Sequence, residues 1–393
     1  MELRKYRVED RGALARLAKT AFGEGGLAGY WESYYDPERN ARLDPEQVHI
    51  IEEDGEARAT ATVLPMEVFV DGDPAPMGGV AAVTAHPAYR RRGYAGELMR
   101  AALRDMRGRG THLSMLWPFS HAFYRVYGWE LAGESISYTL KPTDLPTSPE
   151  QKHVRAYREE DLPRMAEIFE AGTRHYSLCV RRNEDRWRQF LGRKEQEAAV
   201  YEREGRVEGY AIYNMSDWSH ESYPYRTLNV SELAGETREA WEAMISFMAA
   251  QDPLVFEIKY STPRGEALHP YLRSSHVKAG IEPEFMLRLV DVEGALGFKA
   301  LRGDPLVLEI SDDVIPENAG EYTVGNGEVV RGAEAEEWVS LDVRRLAQLY
   351  AGYLPAHQLA RHGLVKPSSP NALDLLEAHF PVGDPWVSAP DHF

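Results

Sequence analysis

The chain has 393 residues, of which 43% are hydrophobic and 10% aromatic, so it is too long for one ordinary core and is expected to form two or three domains. The chain has 45 Lys and Arg residues against 62 Asp and Glu residues, which gives a net charge of −17. This charge disfavours binding to nucleic acid and anionic membranes and favours cationic ligands. Solubility alone would also account for the acidic composition. The single cysteine, Cys179, excludes an internal disulfide. With no signal segment and no apolar run long enough to span a bilayer, we expect a cytoplasmic protein.

The first third of the chain alternates short strands and helices. A strand within residues 3–10 precedes a helix, and Asp54-Gly55 and Asp71-Gly72 are typical hairpin turns of a strand meander. After the meander the hydrophobic pattern predicts, in order, a strand at 80–85, a helix at 95–106, a strand at 113–117, a short helix at 122–127 and a strand at 135–140. This order predicts one mixed α/β domain that includes the last of these strands.

Residues 80–95 are the most informative stretch. A strand of small residues leads into a helix, and arginines precede its first turn, which suits phosphate because free amides and the positive end of a helix attract anions. The pattern Arg90-x-x-Gly93-x-Ala95 resembles the coenzyme A signature of GNAT N-acetyltransferases, (Gln/Arg)-x-x-Gly-x-(Gly/Ala). Alone, it is equally typical of a basic, solvated helix start in another α/β protein. The order of the elements matches the GNAT fold and favours the first interpretation.

The chain then repeats itself. Residues 141–150 are polar and proline-rich, which indicates a linker, and residues 154–161 copy the pattern of residues 3–10. In this second copy, residues 228–233 take the place of the strand before the phosphate site, but Glu236 and Glu239 follow instead of arginines. We therefore expect the second copy not to bind coenzyme A. From about residue 286, strand patterns and two helical patterns predict a small α+β domain.

Two such copies and an α+β domain resemble the Enhanced intracellular survival (Eis) family of acetyltransferases. The resemblance lies in residues 90–93, 123–128, 230–233, 287–292 and 349–352, and in the aromatic last residue. It implies an α/β (α+β) fold of three domains: a catalytic GNAT domain (1–149), a degenerate GNAT-like domain without a cofactor site (150–285) and a sterol-carrier-protein-like domain (286–393). It also implies a homohexamer.

The resemblance places acetyl-CoA on the first copy. Strand amides would line its pantetheine arm, one of them could face the oxyanion, and the arginine loop would hold the pyrophosphate. The predicted cofactor-binding residues are Val83, Thr84, Ala85, Arg90, Arg91, Arg92, Gly93, Tyr94 and Ala95.

The resemblance also suggests catalytic groups. Tyr124 matches the tyrosine that protonates the coenzyme A thiolate, since a phenol is protonated at neutral pH. The terminal carboxylate of Phe393 matches the base, and the proline-stiffened residues 381–387 before it favour a docked tail over a disordered one. Trp31, Trp117 and Phe119 could wall an amine pocket or simply belong to the core. The histidines lack metal-ligand spacing, so no metal is expected.

We therefore expect an acetyl-CoA-dependent N-acetyltransferase that acts directly on a small cationic amine such as an aminoglycoside or a polyamine. Protein lysine is an alternative acceptor. A function of another class is lipid or small-ligand binding by the C-terminal domain on a relict GNAT scaffold. The intact Arg90-x-x-Gly93-x-Ala95 pattern and Tyr124 argue against that relict.

Overall fold

The computed structural model describes residues 1–24, 29–193, 195–216, 226–251, 254–332 and 334–393. These residues form two compact units. The first unit contains Met1–Ala132, Phe285–Gly383 and Phe393, and the second contains Gly133–Glu284 and Asp384–His392. None of the described helices has both the length and the apolar character needed to cross a membrane.

The first copy follows the predicted order up to residue 131. Its elements are β1 (Glu2–Lys5), α1 (Arg11–Phe22), α2 (Tyr30–Tyr34), β2 (Val48–Glu53), β3 (Glu56–Val70), β4 (Asp73–Ala85), α3 (Tyr94–Gly108), β5 (Leu113–Leu116), α4 (His121–Arg125) and β6 (Glu130–Leu131). Both predicted hairpin turns form, because each pair adopts positive φ angles, 55° and 75° at Asp54-Gly55 and 50° and 91° at Asp71-Gly72.

The second copy repeats this order. Its elements are β7 (Glu134–Leu140), β8 (Val154–Ala156), α5 (Leu162–Thr173), β9 (Val180–Arg181), α6 (Glu184–Leu191), β10 (Glu197–Arg203), β11 (Arg206–Met215), β12 (Arg226–Gly235), α7 (Arg238–Ala249), β13 (Val255–Pro263) and β14 (Lys278–Pro283). The expected linker is ordered: short 3-10 turns occupy Pro142–Asp144 and Pro149–His153, and Leu145 is buried in the core of the second unit.

The remaining elements are β15 (Met286–Leu289), α8 (Val292–Leu296), β16 (Leu306–Ser311), β17 (Gly320–Gly325), β18 (Glu328–Arg331), β19 (Trp338–Asp342), α9 (Val343–Ala351), α10 (Ala356–Arg361), β20 (Val365–Pro367) and α11 (Pro370–His379). The strands after β15 form a mixed sheet in the order β18-β17-β16-β19-β20. This is the small α+β domain that the sequence predicts.

Two strands belong to sheets other than the predicted ones. The first sheet runs β1-β2-β3-β4-β5-β15-β6 and the second runs β14-β7-β13-β12-β11-β10-β8. The placement of residues 135–140 in the first sheet is therefore wrong, because β7 pairs with β13 and β14. Likewise β15, expected in the C-terminal domain, pairs with β5 and β6. All four residues of β15 are buried, as suits a strand inside a sheet.

The duplication extends to individual side chains. In the first copy, Arg4 donates to both oxygens of Asp10 at 2.7 Å and to Glu52 at 2.6 Å. In the second copy, Arg155 donates to Asp161 at 2.7 and 2.9 Å and to Glu202 at 2.6 Å. The same ion-pair triad therefore anchors the first strand of each copy to the turn before its first helix.

Helix α3 positions the functional end of the first sheet. Its apolar face, including Leu98, Met99, Ala102, Leu103 and Met106, is buried on the sheet, as the three- and four-residue spacing predicts. Gly78 lies opposite this face, and a Cβ atom there would come within 3.0 Å of Val63 and closer still to Met106. The small residue lets the last turn of the helix, at Met106, pack closely on β4.

Candidate active site

The loop between β4 and α3, residues 86–93, presents backbone amides to an anion. Arg91 and Gly93 both adopt left-handed backbone conformations, with φ angles of 62° and 84°. Gly93 is the residue before α3, and because glycine has no side chain it leaves the amides at the helix start without a side-chain cap. Such a turn leading into a fifteen-residue helix directs free N–H groups and the positive end of the helix dipole to one place.

The three arginines of this loop differ in their surroundings. All are exposed. Arg92 lies 3.5 Å from Glu53 and 4.6 Å from the centre of the Tyr89 ring. Among the described residues, Arg90 and Arg91 have no carboxylate within ion-pair distance. These two guanidinium groups are therefore the ones free to bind phosphate.

The side chain of Tyr94 has a structural role beside this loop. Its ring is buried under the loop, and its hydroxyl donates to Glu53 at 2.8 Å, a bond that raises its pKa. The side chain is thus occupied in anchoring the loop to β2, and only its backbone lies at the helix start. Glu53 itself carried no motif in the sequence, so its contact with the loop was not predictable.

A β-bulge interrupts β4 beside this loop. Thr62 pairs with Ala81 and Thr60 with Thr84, so Ala82 and Val83 together oppose Ala61. Ala82 has a φ of 50°, which turns the strand at this point. A bulge takes amides out of the ladder and re-aims side chains. Here it alters the segment Val83, Thr84 and Ala85 that the sequence assigned to pantetheine.

Thr84 offers a polar group to a ligand of this segment. Its hydroxyl oxygen is buried and makes no hydrogen bond within the described part of the chain. Buried hydroxyls are normally satisfied, so such groups indicate a missing ligand or water. Together with the free arginines and the left-handed loop, they fit a bound acyl-coenzyme A.

The strands β4 and β5 separate directly beyond Gly79. They pair in parallel only from Met77 to Gly79, and then β4 continues along β3 while β5 continues along β15. A cleft therefore opens between two parallel strands, with the loop of residues 86–93 at the far end of β4. The carboxyl ends of parallel strands are common ligand sites.

Phe393 lies where this cleft begins. A Cβ atom on Gly79 would come within 2.7 Å of its ring, and Trp117 contacts the ring edge-on at 4.8 Å between centroids. Gly79 thus makes room for the aromatic residue. Two consecutive glycines inside a strand signal such a close approach, and Gly78-Gly79 was a usable signal that the sequence interpretation missed.

Tyr124 lies on α4, whose start is capped by the Ser120 side chain accepting from the Phe123 amide at 3.4 Å. Its ring is 3% exposed and packs in the core that contains Val80 of β4 and Leu116 of β5. Phe119 contacts Tyr124 at 5.3 Å between ring centroids. Burial raises the pKa of the Tyr124 phenol above its ordinary value of 10.0, so it stays protonated.

The three predicted pocket aromatics do not form one group. Trp117 contacts Phe393 and Phe119 contacts Tyr124, but Phe119 is 69% exposed. Trp31 belongs to a separate cluster around α1 and α2, where its indole N–H donates to Gly23 at 2.8 Å. Its neighbours Tyr34 and Tyr35 are buried and their hydroxyl oxygens have no hydrogen-bond partner among the described residues. The segment 24–44 is rich in Gly, Tyr and acidic residues, which predicts an acceptor loop there, and its residues 25–28 lie outside the described residues.

The second copy lacks the phosphate loop. There, β12 ends at Gly235 and α7 begins at Arg238, so two residues replace the eight of the first copy. Thr237 caps the α7 amides itself by accepting from Ala240, and Glu236 is paired with Arg164 and Arg206. The geometry agrees with the expectation that this copy does not hold coenzyme A.

Comparisons with known proteins give the same domain order. Models of the Acetyltransferase (GNAT) domain match residues 2–132 and 178–289, and a Sterol carrier protein domain model matches residues 292–388. A Streptomyces avermitilis protein named as an N-acetyltransferase is 25% identical over 381 residues, which cover 91% of this chain and 90% of that protein.

Solved structures share the whole fold. A GCN5-related N-acetyltransferase from Anabaena variabilis superposes with a TM-score of 0.87 at 22% identity, over 100% of both chains. Eis1 from Mycobacterium abscessus superposes with a TM-score of 0.81 at 24% identity, also over 100% of both chains. The predicted resemblance to the Eis acetyltransferases is thereby confirmed.

Proposed function

Because the chain belongs to the GNAT acetyltransferases, with two GNAT domains ahead of a sterol carrier protein domain, we propose that its first GNAT domain transfers an acetyl group from acetyl-CoA to a cationic amine. The observation that carries this proposal is the contrast between the two copies. In the first copy, the strand before the helix leads into an exposed arginine loop with left-handed residues. In the second copy, the equivalent connection is the two-residue turn Glu236-Thr237.

Several residues would hold the co-substrate. Arg90, Arg91 and the amides around Gly93 would bind the pyrophosphate, while Arg92 is held by Glu53 and shapes the loop. The bulged segment from Val83 to Ala85 would offer amides to the pantetheine arm and the Thr84 hydroxyl as a further polar contact. Acetyl-CoA, when bound, supplies the thioester whose acetyl group is transferred.

Tyr124 would stabilise the leaving group. Its buried phenol keeps its proton because burial raises its pKa, whereas an ordinary thiol has a pKa of about 8.5. The thiolate is the weaker base of the two, so the phenol acts chiefly as a hydrogen-bond donor to the sulfur as negative charge develops there. That interaction strengthens in the transition state and therefore contributes to rate rather than to binding.

Phe393 would place a carboxylate near the point where β4 and β5 separate. The contacts of its ring with Gly79 and Trp117 support this position. A carboxylate there could accept the proton of the incoming ammonium. If a chain extended past Phe393 by several residues keeps full turnover, the base assignment is wrong.

A cationic acceptor is supported by the charge of the chain. The net charge of −17 attracts amines and repels anionic acceptors, while the loop arginines provide a local exception for the co-substrate. Aminoglycosides, polyamines and exposed protein lysines all meet this description. The net charge is compatible with both small-molecule and protein acceptors.

The cofactor assignment is tested by replacing Arg90 and Arg91 with Glu together. Coenzyme A affinity, measured by isothermal titration calorimetry, should fall by at least about a hundredfold, since two phosphate contacts become two repulsions. A matched control replaces the exposed Arg302 and Arg361 of the C-terminal domain with Glu, which changes the net charge equally. Equal affinity loss in both variants would mean that the loop is not the binding site.

A further inference from the structure

The second copy keeps a cleft although it has lost the phosphate loop. β12 and β13 pair in parallel as far as Val230 and Tyr260, and beyond that point β12 follows β11 while β13 follows β7. A cavity of about 1000 Å³ fills this opening, between α5 and α7 and the separated ends of the two strands. Its size is at the upper end of that found for small-molecule sites.

Aromatic rings form much of the cavity wall. Tyr176 and Trp386 contact each other at 5.3 Å between centroids, and Trp241 and Tyr271 do so at 4.6 Å. Tyr260, near the point where β12 and β13 separate, also lines the cavity. Aromatic faces carry partial negative charge and attract organic cations.

Most of the charged groups at the cavity neutralise one another. Glu232 accepts from Arg182 at 2.9 and 2.5 Å, Glu236 is paired with Arg206 at 3.1 Å, and Glu242 is paired with Arg238 at 2.7 Å. These pairs therefore leave little charge to attract a ligand.

Glu266 is the exception. No cation of the described chain lies within ion-pair distance of it, and its carboxylate lies beside the phenols of Tyr176 and Tyr260. It adds to the burial that raises the pKa of both phenols. One negative charge at the wall is thus uncompensated.

An unsatisfied hydroxyl gives independent evidence of a missing ligand. Thr262 is 2% exposed, lines the cavity, and its hydroxyl oxygen makes no hydrogen bond to any described residue. A buried group of this kind normally has a partner. As an acceptor it suits the N–H groups of an ammonium ion.

We propose that this cavity of the second GNAT domain is a binding site for an organic cation, an amine with an apolar body, separate from the acetyl-transfer site. The aromatic walls bind the apolar body, Glu266 provides the counter-charge, and the Thr262 hydroxyl accepts a hydrogen bond. An acyl-coenzyme A is disfavoured, because the two-residue turn before α7 offers no phosphate loop.

The test uses the full chain labelled with 5-fluorotryptophan, with the resonances of Trp241 and Trp386 assigned by Trp→Phe variants. The probes are phenethylamine, its neutral analogue 2-phenylethanol and its anionic analogue phenylacetate. We expect phenethylamine to shift both resonances at millimolar or lower concentration. The neutral probe should bind about tenfold more weakly, and the anionic probe should leave both resonances unchanged.

Two variants test the counter-charge. Glu266→Gln should weaken phenethylamine binding about tenfold, while Glu239→Gln, which removes one exposed charge of the same domain outside the cavity, should change it less than about twofold. The proposal is overturned if phenethylamine shifts neither resonance, if the three probes shift them equally, or if Glu266→Gln binds as the wild type does. If coenzyme A rather than phenethylamine shifts the resonances of Trp241 and Trp386, the cavity is a second cofactor cleft and the proposal is wrong.

Discussion

At the scale of single residues, the site combines groups that the sequence could identify with groups that it could not. Arg90, Gly93 and Tyr124 stand in recognisable local patterns, and the structure gives them geometries that suit the predicted parts. Glu53 comes from a position without any motif and reaches the site only through the pairing of β2, β3 and β4. Local spacing predicts a loop, but not which distant side chain holds it.

Replacing Tyr124 with Phe tests the leaving-group assignment. Turnover should fall by about 10² to 10⁴, because a donor that acts on developing charge is lost, while coenzyme A affinity should change little. Steady-state kinetics and calorimetry on the same variant separate the two effects. Tyr127→Phe is the matched control, since that neighbouring ring also packs in the core and should keep most of the activity. Equal turnover losses in the two variants would reduce Tyr124 to a packing residue.

His49 makes stability depend on pH. Burial, with the nearby Lys5 ammonium, lowers its pKa from 6.5 to about 4. The unfolded chain therefore takes up a proton that the folded chain does not, so the stability that His49 contributes is present above about pH 6.5 and is lost as the pH falls towards 4. The full loss amounts to about 3 kcal/mol, since each unit of pKa difference corresponds to about 1.4 kcal/mol.

Urea unfolding at pH 7 and pH 4.5 measures this loss. The drop in the free energy of unfolding should be smaller in His49→Gln than in the wild type, because the titrating group is gone. His362→Gln, a change at an exposed histidine, should show the wild-type drop. If all three proteins lose the same amount, His49 does not titrate as its surroundings indicate.

At the scale of elements, periodicity located most elements of the first copy but left α6, α7 and β13 of the second copy unassigned, and it did not predict every strand partner. The face of α3 and the hairpin turns at Asp54-Gly55 and Asp71-Gly72 followed directly from local sequence. The strands β7 and β15 were recognised as strands and assigned to the wrong sheets. β7 has an alternating pattern and β15 a short, fully buried one, and neither pattern specifies a partner strand, so the choice of sheet depends on packing between residues more than a hundred positions apart.

A buried ion-pair network holds the second unit together at β12. The Arg182 side chain is 1% exposed. Its guanidinium group lies 2.5 Å from the Glu232 carboxylate and 2.7 Å from the Asp391 carboxylate. Arg182→Met leaves the buried Glu232 without its cation and leaves Asp391 with Arg186 alone, at 3.5 Å, so it should destabilise this unit by about 3 to 5 kcal/mol. Hydrogen exchange of the β12 amides measures the loss.

The neighbouring Arg181 provides the control for this change. Its side chain is 40% exposed and lies 3.5 Å from Glu170, so Arg181→Met should cost less than about 1 kcal/mol. If β12 amides exchange alike in both variants, the network contributes no net stability and serves only to fix the packing of the segment.

At the scale of the whole molecule, the internal duplication provided the most reliable inference. Two copies with the same starting ion-pair triad differ at one place, the connection from the central strand to the next helix. That difference separates the proposed coenzyme A cleft of the first copy from a cleft with acidic and aromatic walls in the second. The order of domains followed from the sequence as well, whereas the cavity of the second GNAT domain did not, since its walls come from segments scattered between residues 168 and 386.

The most direct test of the central claim is release of free thiol from acetyl-CoA in the presence of a panel of amines, with the acetylated product identified by mass. We predict release that depends on a cationic amine, is lost in the Arg90→Glu/Arg91→Glu variant and persists in the Arg302→Glu/Arg361→Glu control. Release that is equal in the two variants, or no amine-dependent release with any cationic acceptor, would contradict acetyl transfer at the first GNAT domain.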